Sequence, residues 1–306
     1  MNTRNIIYIT AIAICTLPFI DTPIALLLGI ILAQTVQHPF PLFSKKAIHT
    51  LLQISVVGLG FGMNAWQALD AGKQGLLFTI VSITTTLLLG TFIGKRLHID
   101  KNTAYLISTG TAICGGSAIA AVSPIIKPSE KQISTALGTV FILNSVALFL
   151  FPWIGHALHL TQHQFGVWAA IAIHDTSSVV GAASKYGTEA LQIATTIKLE
   201  RAMWIIPVAF LSMFLFKSES KKVTIPYFIF LFVIAMLANT FIPSIHPASL
   251  IIVLISKIGL KITLFLIGSG LTRELIVSVG VKPIVQGIIL WTFISVLSLL
   301  FIIHYV

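Results

Sequence analysis

Residues 108–121 read STGTAICGGSAIAA and lie inside an apolar run of the chain. The adjacent glycines Gly115 and Gly116, together with Ser and Thr, weaken a helix and leave backbone groups that need other partners. At membrane depth such backbone is tolerated only where protein or a water-filled cavity surrounds it. Residues 172–181, AIHDTSSVVG, interrupt a second apolar run with five consecutive polar side chains. The two segments predict two discontinuous core helices.

The composition indicates a membrane protein. Of the 306 residues, 56% are apolar and 9% are charged, whereas a soluble domain carries about 25% charged residues. Lipid must therefore be part of the solvent. Since one crossing takes about 20 residues, we expect an all-α polytopic membrane protein with about 10–11 transmembrane helices.

The apolar runs follow one another without a long polar linker, so we expect a single transmembrane transporter domain over residues 1–306. Its core elements are expected at about 103–126 and 163–216. The runs cover about 5–20, 23–36, 48–64, 75–94, 103–126, 132–154, 163–183, 189–216, 225–242, 248–271 and 283–304.

The net charge of +10 is a topology signal, because the basic residues form small groups between apolar runs and not a nucleic-acid-binding patch. With the N-terminus inside, eleven Lys and Arg residues fall in inner loops and four in outer loops. This positive-inside bias predicts a multi-pass protein of the bacterial inner membrane with a cytoplasmic N-terminus. The inner group is Arg4, Lys45, Lys46, Lys95, Arg96, Lys101, Lys217, Lys221, Lys222, Arg273 and Lys282, and the outer group is Lys73, Lys127, Lys131 and Lys185.

Two internal matches indicate repeats. A shift of 208 residues relates about 51–94 to 259–302, pairing Gly60 with Gly268, Gly62 with Gly270 and Gly72 with Gly280. The copies lie an odd number of spans apart, so they form an inverted repeat, a common plan of secondary transporters. Chance among Leu, Ile and Gly is the alternative. A shift of 60 gives a shorter match, which aligns Ala112, Ile113 and Ser117 with Ala172, Ile173 and Ser177.

Each discontinuous helix has a half-helix N-terminus, where free N–H groups and a partial positive charge favour an anion. Lys198 and Arg201 are three residues apart and share a helix face. His174, Asp175 and Glu200 are candidates for proton or ion coupling, since ionisable groups inside a span are functional by default. The expected substrate-binding residues are Thr111, Cys114, Gly115, Gly116, Ser117, Thr176, Ser177, Ser178, Lys198 and Arg201.

Structural alternatives stand beside these assignments. The glycines are also typical of close helix packing, and the His174–Asp175 pair or the Lys198–Arg201 pair would fit a loop outside the bilayer. Asn144, a lone polar residue in an apolar run, is interpreted as a contact between helices. No phosphate-binding loop and no soluble-enzyme arrangement is found in the sequence, so we expect neither an enzyme nor a cofactor or metal site.

The segment 111–121, followed by Ser123-Pro124, resembles the YeiH-type family of bacterial membrane proteins, which are described as sulfate exporters. His174-Asp175 and Lys198-Leu199-x-Arg201, followed by Pro207, match elements of the same family, and Gly58-Leu59-Gly60 fits its early glycine-rich helix. The resemblance implies kinship with cation–proton antiporter and bile-acid-symporter folds. In those folds two broken helices cross near the midplane of a core domain, and a second domain often forms a homodimer.

We therefore expect a secondary active transporter that exports a small anion, namely sulfate or an organic sulfonate or carboxylate, with proton coupling. A cation–proton or sodium-coupled antiporter with Asp175 as its ion ligand is an alternative. A membrane sensor or scaffold without transport is another. The expected partners are the anion, the lipid bilayer, an H⁺ or Na⁺ coupling ion and a second copy of the chain, with no nucleic acid.

Overall fold

A computed structural model describes residues 3–18, 20–36, 41–216 and 227–305. Side chains within these ranges are described except at residues 3, 41–46, 49, 67, 70–77, 276 and 305. The described chain is helical and contains no strand. Its helices are α1 (Thr3–Cys15), α2 (Thr22–Thr35), α3 (Pro41–Gly60), α4 (Ala65–Arg96), α5 (Lys101–Ala112), α6 (Gly116–Ile126), α7 (Glu130–Ala157), α8 (Gln162–Ala172), α9 (Thr176–Tyr186), α10 (Thr188–Met203), α11 (Ile205–Leu215), α12 (Tyr227–Phe241), a 3₁₀ turn (Pro243–Ile245), α13 (His246–Ser269), α14 (Arg273–Val279) and α15 (Val281–Tyr305).

Several helices suit a bilayer. Within the described residues, four are long and apolar enough to cross a membrane: Phe78–Arg96 of α4, Glu130–Ala157, Pro243–Ser269 and Val281–His304. Shorter apolar helices accompany them. The expected class, an all-helical polytopic membrane protein, is confirmed.

The chain forms two compact units of interleaved sequence. The first comprises Met1–Asp70 and Tyr227–Arg273, and the second comprises Ala71–Pro226 and Glu274–Val306. Both expected core elements, about 103–126 and 163–216, belong to the second unit.

In the first unit, Gly60 and Gly268, one of the glycine pairs related by the shift of 208, have equivalent packing roles. A Cβ atom at Gly60 would lie 2.7 Å from the Phe232 carbonyl oxygen, and one at Gly268 would lie 2.3 Å from the Leu26 carbonyl oxygen. Gly60 thus lets α3 approach α12 as Gly268 lets α13 approach α2. The copies differ further along, because α4 is continuous whereas Gly280, with φ +79°, separates α14 from α15.

In the second unit, α5 and α6 form a hairpin, called hairpin 1 below. The Gln132 side chain, in the first turn of α7, donates a hydrogen bond of 2.7 Å to the Asp100 carboxylate, which caps the start of α5. Laid end to end, α5 and α6 would extend about 35 Å, so this contact requires α6 to return along α5. A Cβ atom at Gly110 would lie 3.0 Å from Ile119, which confirms that the two arms touch.

Helices α8 and α9 form hairpin 2 in the same way. The Tyr186 hydroxyl, at the end of α9, donates a 2.6 Å hydrogen bond to the Leu160 carbonyl, just before α8. The rings of Phe165 and Tyr186 stack with centroids 3.8 Å apart. His156, at the end of α7, stacks on the other side of Tyr186. Both ends of hairpin 2 therefore lie at the C-terminal end of α7.

Helix α7 separates the bases of the two hairpins. Its 28 residues extend about 42 Å, enough to cross the bilayer, with hairpin 1 at its N-terminal end and hairpin 2 at its C-terminal end. The two discontinuous elements are therefore re-entrant hairpins entering from opposite ends, and not interrupted spans that cross. Two runs counted as crossings, about 103–126 and 163–183, return to the end at which they start.

The hairpins also revise the charge count. Lys127 and Lys131 follow hairpin 1 and lie at the same end of α7 as Lys95, Arg96 and Lys101, since Gln132 contacts Asp100. Moving these two lysines to the inner group raises the bias to thirteen against two. Of the other residues in that count, Lys217, Lys221 and Lys222 lie outside the described residues, as do the side chains of Lys45, Lys46 and Lys73.

Candidate functional site

The tips of the two hairpins meet inside the second unit. Tip 1 is Ile113–Gly115 and tip 2 is Ile173–Asp175. A Cβ atom at Gly115 would lie 3.4 Å from the His174 carbonyl oxygen and 3.4 Å from the Asp175 Cβ. The sequence predicted two breaks in core helices, and the fold brings those breaks into contact.

The two hairpins share one register. Helices α5 and α8 end at Ala112 and Ala172, and α6 and α9 cover Gly116–Ile126 and Thr176–Tyr186. Every one of these positions is offset by 60 residues. The short match found in the sequence is therefore the register of an internal repeat, and the repeat is inverted because the hairpins enter from opposite ends of α7.

Two buried cations hold the tips from α10. The Lys198 Nζ donates to the carbonyls of Ile173 at 2.7 Å and Ala170 at 3.3 Å, at the end of α8. The Arg201 Nη2 donates to the Ala112 carbonyl, the last of α5, at 2.6 Å. Each cation thus caps one half-helix and complements the negative end of its dipole.

Arg201 also reaches α4, where its Nη1 donates to the Ser82 hydroxyl at 2.9 Å. Both cationic side chains are fully buried. The sequence predicted correctly that Lys198 and Arg201 share a face. Much of their hydrogen-bonding capacity is, however, used by protein carbonyls and the Ser82 hydroxyl, so it is not available to a substrate.

The N-terminus of α9 is closed by the chain's own carboxylate. The Asp175 Oδ2 accepts hydrogen bonds from the N–H groups of Ser177 at 3.1 Å and Ser178 at 3.3 Å, and from the Ser177 hydroxyl. Thr176, Ser177 and Ser178 are all buried. Ser177 and Ser178, which the sequence assigns to substrate binding, instead donate hydrogen bonds to Asp175. The expectation that both half-helix N-termini are free is therefore wrong for α9.

The N-terminus of α6 is open by comparison. Its N-cap residue is Gly115, with φ +65° and ψ −124°, and no side chain caps the helix. These are the angles of the first central residue in a type II′ turn, which favours glycine. Gly116 is half-buried and Ser117 is exposed. The Cys114 sulfur lies beside the Ala118 N–H and the Ser117 hydroxyl, but sulfur is a weak acceptor.

Several buried polar atoms on the elements that meet at the tips have no hydrogen-bond partner among the described residues. They are Asn144 Nδ2, Arg201 Nε, Thr111 Oγ1 and both ring nitrogens of His174. Buried polar groups in proteins are nearly always hydrogen-bonded, so such a group calls for an explanation such as an ion or water. Asn Nδ2 and Arg Nε only donate, so what they lack is an acceptor.

Asn144 is a site residue that the sequence did not assign to the site. Its Oδ1 accepts a 3.0 Å hydrogen bond from the His174 N–H, which ties tip 2 to the middle of α7. Its position as a lone polar residue in an apolar run was the available signal. Ser82 gave no comparable signal, because hydroxyl side chains recur along α4, which also contains Thr79, Thr84, Thr85, Thr86 and Thr91.

Glu200 makes no contact with the tips, although its carboxylate interacts electrostatically with Arg201. It is half-buried, and its position on α10 puts it on a different face from Lys198. Both carboxylate oxygens are enclosed and accept no hydrogen bond from the described residues, while the Trp204 side chain is nearby. The structure therefore does not bring Glu200 to the tips. No group of three His, Cys, Asp or Glu side chains among the described residues has the arrangement of a metal site.

A family model described as Conserved hypothetical protein 698 matches residues 7–287. The chain belongs to this family. Its relatives include the UPF0324 membrane protein of Bacteroides thetaiotaomicron, 56% identical over 93% of this chain and 87% of that protein. The UPF0324 membrane protein of Vibrio parahaemolyticus is 50% identical over 98% of both chains. No solved structure matches the chain.

Family membership agrees with the helices in describing a multi-pass membrane protein. The match covers hairpin 1, hairpin 2 and both capping cations. The relatives are named as membrane proteins without an activity, so the function has to be argued from the site.

Proposed function

We propose that this protein is a secondary active transporter of a small anion, which binds where tip 1 and tip 2 meet. The observation that carries the proposal is the set of buried donors without an acceptor, above all Asn144 Nδ2 and Arg201 Nε. Leaving such donors unpaired costs free energy. An anion between the tips would supply the missing acceptor.

The charges at the tips support an anion. Lys198 and Arg201 contribute two positive charges, and Asp175 contributes one negative charge, which already accepts hydrogen bonds at the start of α9. The open N-terminus of α6 adds N–H donors and a partial positive charge. A cation antiporter would need spare carboxylate at the tips, and Asp175 is engaged as a helix cap.

The hairpins support transport. Half-helices that end near the midplane at the junction of inverted repeats are typical of secondary transporters. Because the hairpins enter from opposite ends of α7, an ion at their tips is separated from each side by one hairpin. We extend the proposal to export of sulfate, a sulfonate or a carboxylate from the bacterial cytoplasm, with an inside N-terminus and a homodimeric assembly. His174, Asp175 and Glu200 are the proposed coupling groups.

The test is anion flux in proteoliposomes of the purified protein with an imposed proton gradient. We expect flux of at least one small anion, and we expect Arg201→Gln to reduce it by roughly tenfold or more, since it removes a buried charged donor. Lys131→Gln is the matched control, because it removes an exposed cation outside the site. Absence of anion flux in the wild type, or equal flux in Arg201→Gln, would contradict the proposal. Cation flux without an anion would favour the antiporter alternative.

A further inference from the structure

Hairpin 2 contains a filled carboxylate cradle. Its donors are the N–H of Ser177, the N–H of Ser178 and the Ser177 hydroxyl, and its occupant is the Asp175 carboxylate. The donors belong to the first turn of α9 and the occupant to the residue before it. The arrangement shows how this hairpin architecture holds a carboxylate.

Hairpin 1 contains the same donors without a carboxylate, although the Cys114 sulfur, a weak acceptor, lies beside two of them, the Ala118 N–H and the Ser117 hydroxyl. The 60-residue register places Ser117 where hairpin 2 has Ser177, and Ala118 where it has Ser178. Two N–H groups and one hydroxyl are thereby retained. Gly115, which has no side chain, occupies the position equivalent to Asp175.

We infer that the substrate carries a carboxylate group, which occupies at the start of α6 the place that the Asp175 carboxylate occupies at the start of α9. This inference rests on the proposed function and names the chemical class of its substrate. The expected contacts are the N–H groups of Ser117 and Ala118 and the Ser117 hydroxyl.

Two observations independent of the helix terminus support a ligand where the tips meet. Asn144 Nδ2 and Arg201 Nε are buried donors without an acceptor among the described residues, and Asn144 and Arg201 hold tip 2 and the end of α5, respectively. In addition, two cations and one carboxylate at the tips leave one positive charge. A monocarboxylate balances the charge of these three groups and sulfate, a dianion, would exceed it, and the Glu200 carboxylate, which interacts electrostatically with Arg201, disfavours a dianion further.

The open cradle is also accessible. Ser117 is exposed and Gly116 is half-buried, whereas Ser177 has no exposed surface. Ala118 itself has no exposed surface, so it is the Ser117 end of the cradle that a ligand can reach in this conformation. The equivalent place in hairpin 2 is both occupied and closed.

The experiment measures binding of acetate and propionate, against sulfate, methanesulfonate and chloride, to the full chain in lipid nanodiscs. Calorimetry and thermal shift are recorded at constant pH and ionic strength. We expect the carboxylates to bind more tightly than the other anions. Ser117→Ala should weaken their binding by about five- to tenfold through loss of one hydrogen bond to a charged group.

Two further variants complete the test. Ser117→Asp places a carboxylate on the chain at the start of α6, so we expect a higher melting temperature and no response to acetate. Ser123→Ala is the matched control, because Ser123 is also in α6 but its hydroxyl donates to the Ile119 carbonyl of its own helix at 2.7 Å. It should bind acetate like the wild type. If Ser117→Asp does not fold, Ser117→Ala against Ser123→Ala decides.

Some outcomes would overturn the inference alone. These are unchanged acetate affinity in Ser117→Ala, acetate binding by a folded Ser117→Asp, or tighter binding of sulfate or chloride than of carboxylates. If the wild type binds sulfate or chloride and Arg201→Gln does not, the proposed anion site is supported and only the substrate class is wrong. Failure of the wild type to bind any of the anions would overturn both.

Discussion

Hairpin 1 and hairpin 2 have arms in the same register, offset by 60 residues, yet they differ in what lies at their second arms. The α9 N-terminus is capped by Asp175 and buried. The α6 N-terminus begins at Gly115 and is open, with Ser117 and Ala120 exposed where hairpin 2 has the buried Ser177 and Val180. One half of an inverted repeat can thus supply its own anion, while the other half leaves room for an anion from outside the chain.

The largest expected difference between the hairpins is in accessibility. Ala120→Cys should react with a small thiol reagent about a hundredfold faster than Val180→Cys, because a buried thiol reacts only after local opening. The measurement is the alkylation rate of the purified variants. Wild type is the background control, since Cys15 and Cys114 are both buried. Equal alkylation rates would contradict the proposed difference in accessibility between the hairpins. Slow labelling of both variants would show that water does not reach α6.

The next effect concerns the cap that only hairpin 2 has. Asp175→Ala should lower the free energy of unfolding by about 1–3 kcal/mol, because it leaves the buried N–H groups of Ser177 and Ser178 without an acceptor. Asp175→Asn, which keeps an acceptor oxygen, should cost less. Denaturation in detergent measures both, with Ser123→Ala as control. An Asp175→Ala variant as stable as the wild type would mean that the cap is dispensable.

The cations that hold the two hairpins also differ. Arg201 holds hairpin 1 and has an unpaired Nε, whereas Lys198 holds hairpin 2 through Ile173 and Ala170. We expect Arg201→Gln to weaken anion binding by about tenfold and Lys198→Gln by about threefold, since Arg201 Nε has no acceptor at all whereas the Lys198 Nζ already donates two of its three hydrogens. Calorimetry on both variants gives the ratio. A larger loss of anion affinity in Lys198→Gln than in Arg201→Gln would indicate that the anion binds nearer to tip 2.

The smallest expected effect is in the turn of hairpin 1. Gly115→Ala should destabilise the protein by about 1 kcal/mol, because an L-residue is strained at positive φ. Gly116→Ala is the matched control, since that neighbour has no positive φ and a Cβ there would meet the Phe141 ring at 3.2 Å. The comparison is made by thermal unfolding. Equal losses in the two variants would indicate crowding rather than backbone strain at Gly115.

The sequence predicted where the core helices break, because the signals are local. Adjacent glycines at 115 and 116, and the polar run from His174 to Ser178, disfavour a continuous helix by themselves. The direction of the chain after each break could not be predicted, because a break permits the next half to continue or to return. The contacts between Gln132 and Asp100, and between Tyr186 and Leu160, decide that it returns.

Composition and apolar periodicity determined by themselves that the chain is an all-helical membrane protein, because too few charged residues exist to cover a soluble surface. Spacing along α10 also determined that Lys198 and Arg201 share a face. The packing of the helices sets what those cations contact, brings Asn144 to the site, and lets Asp175 close one hairpin while Gly115 leaves the other open. The physical reason is distance along the chain: helix breaks depend on neighbouring residues, whereas the partners of a buried charge are set by elements packed together from far apart in sequence.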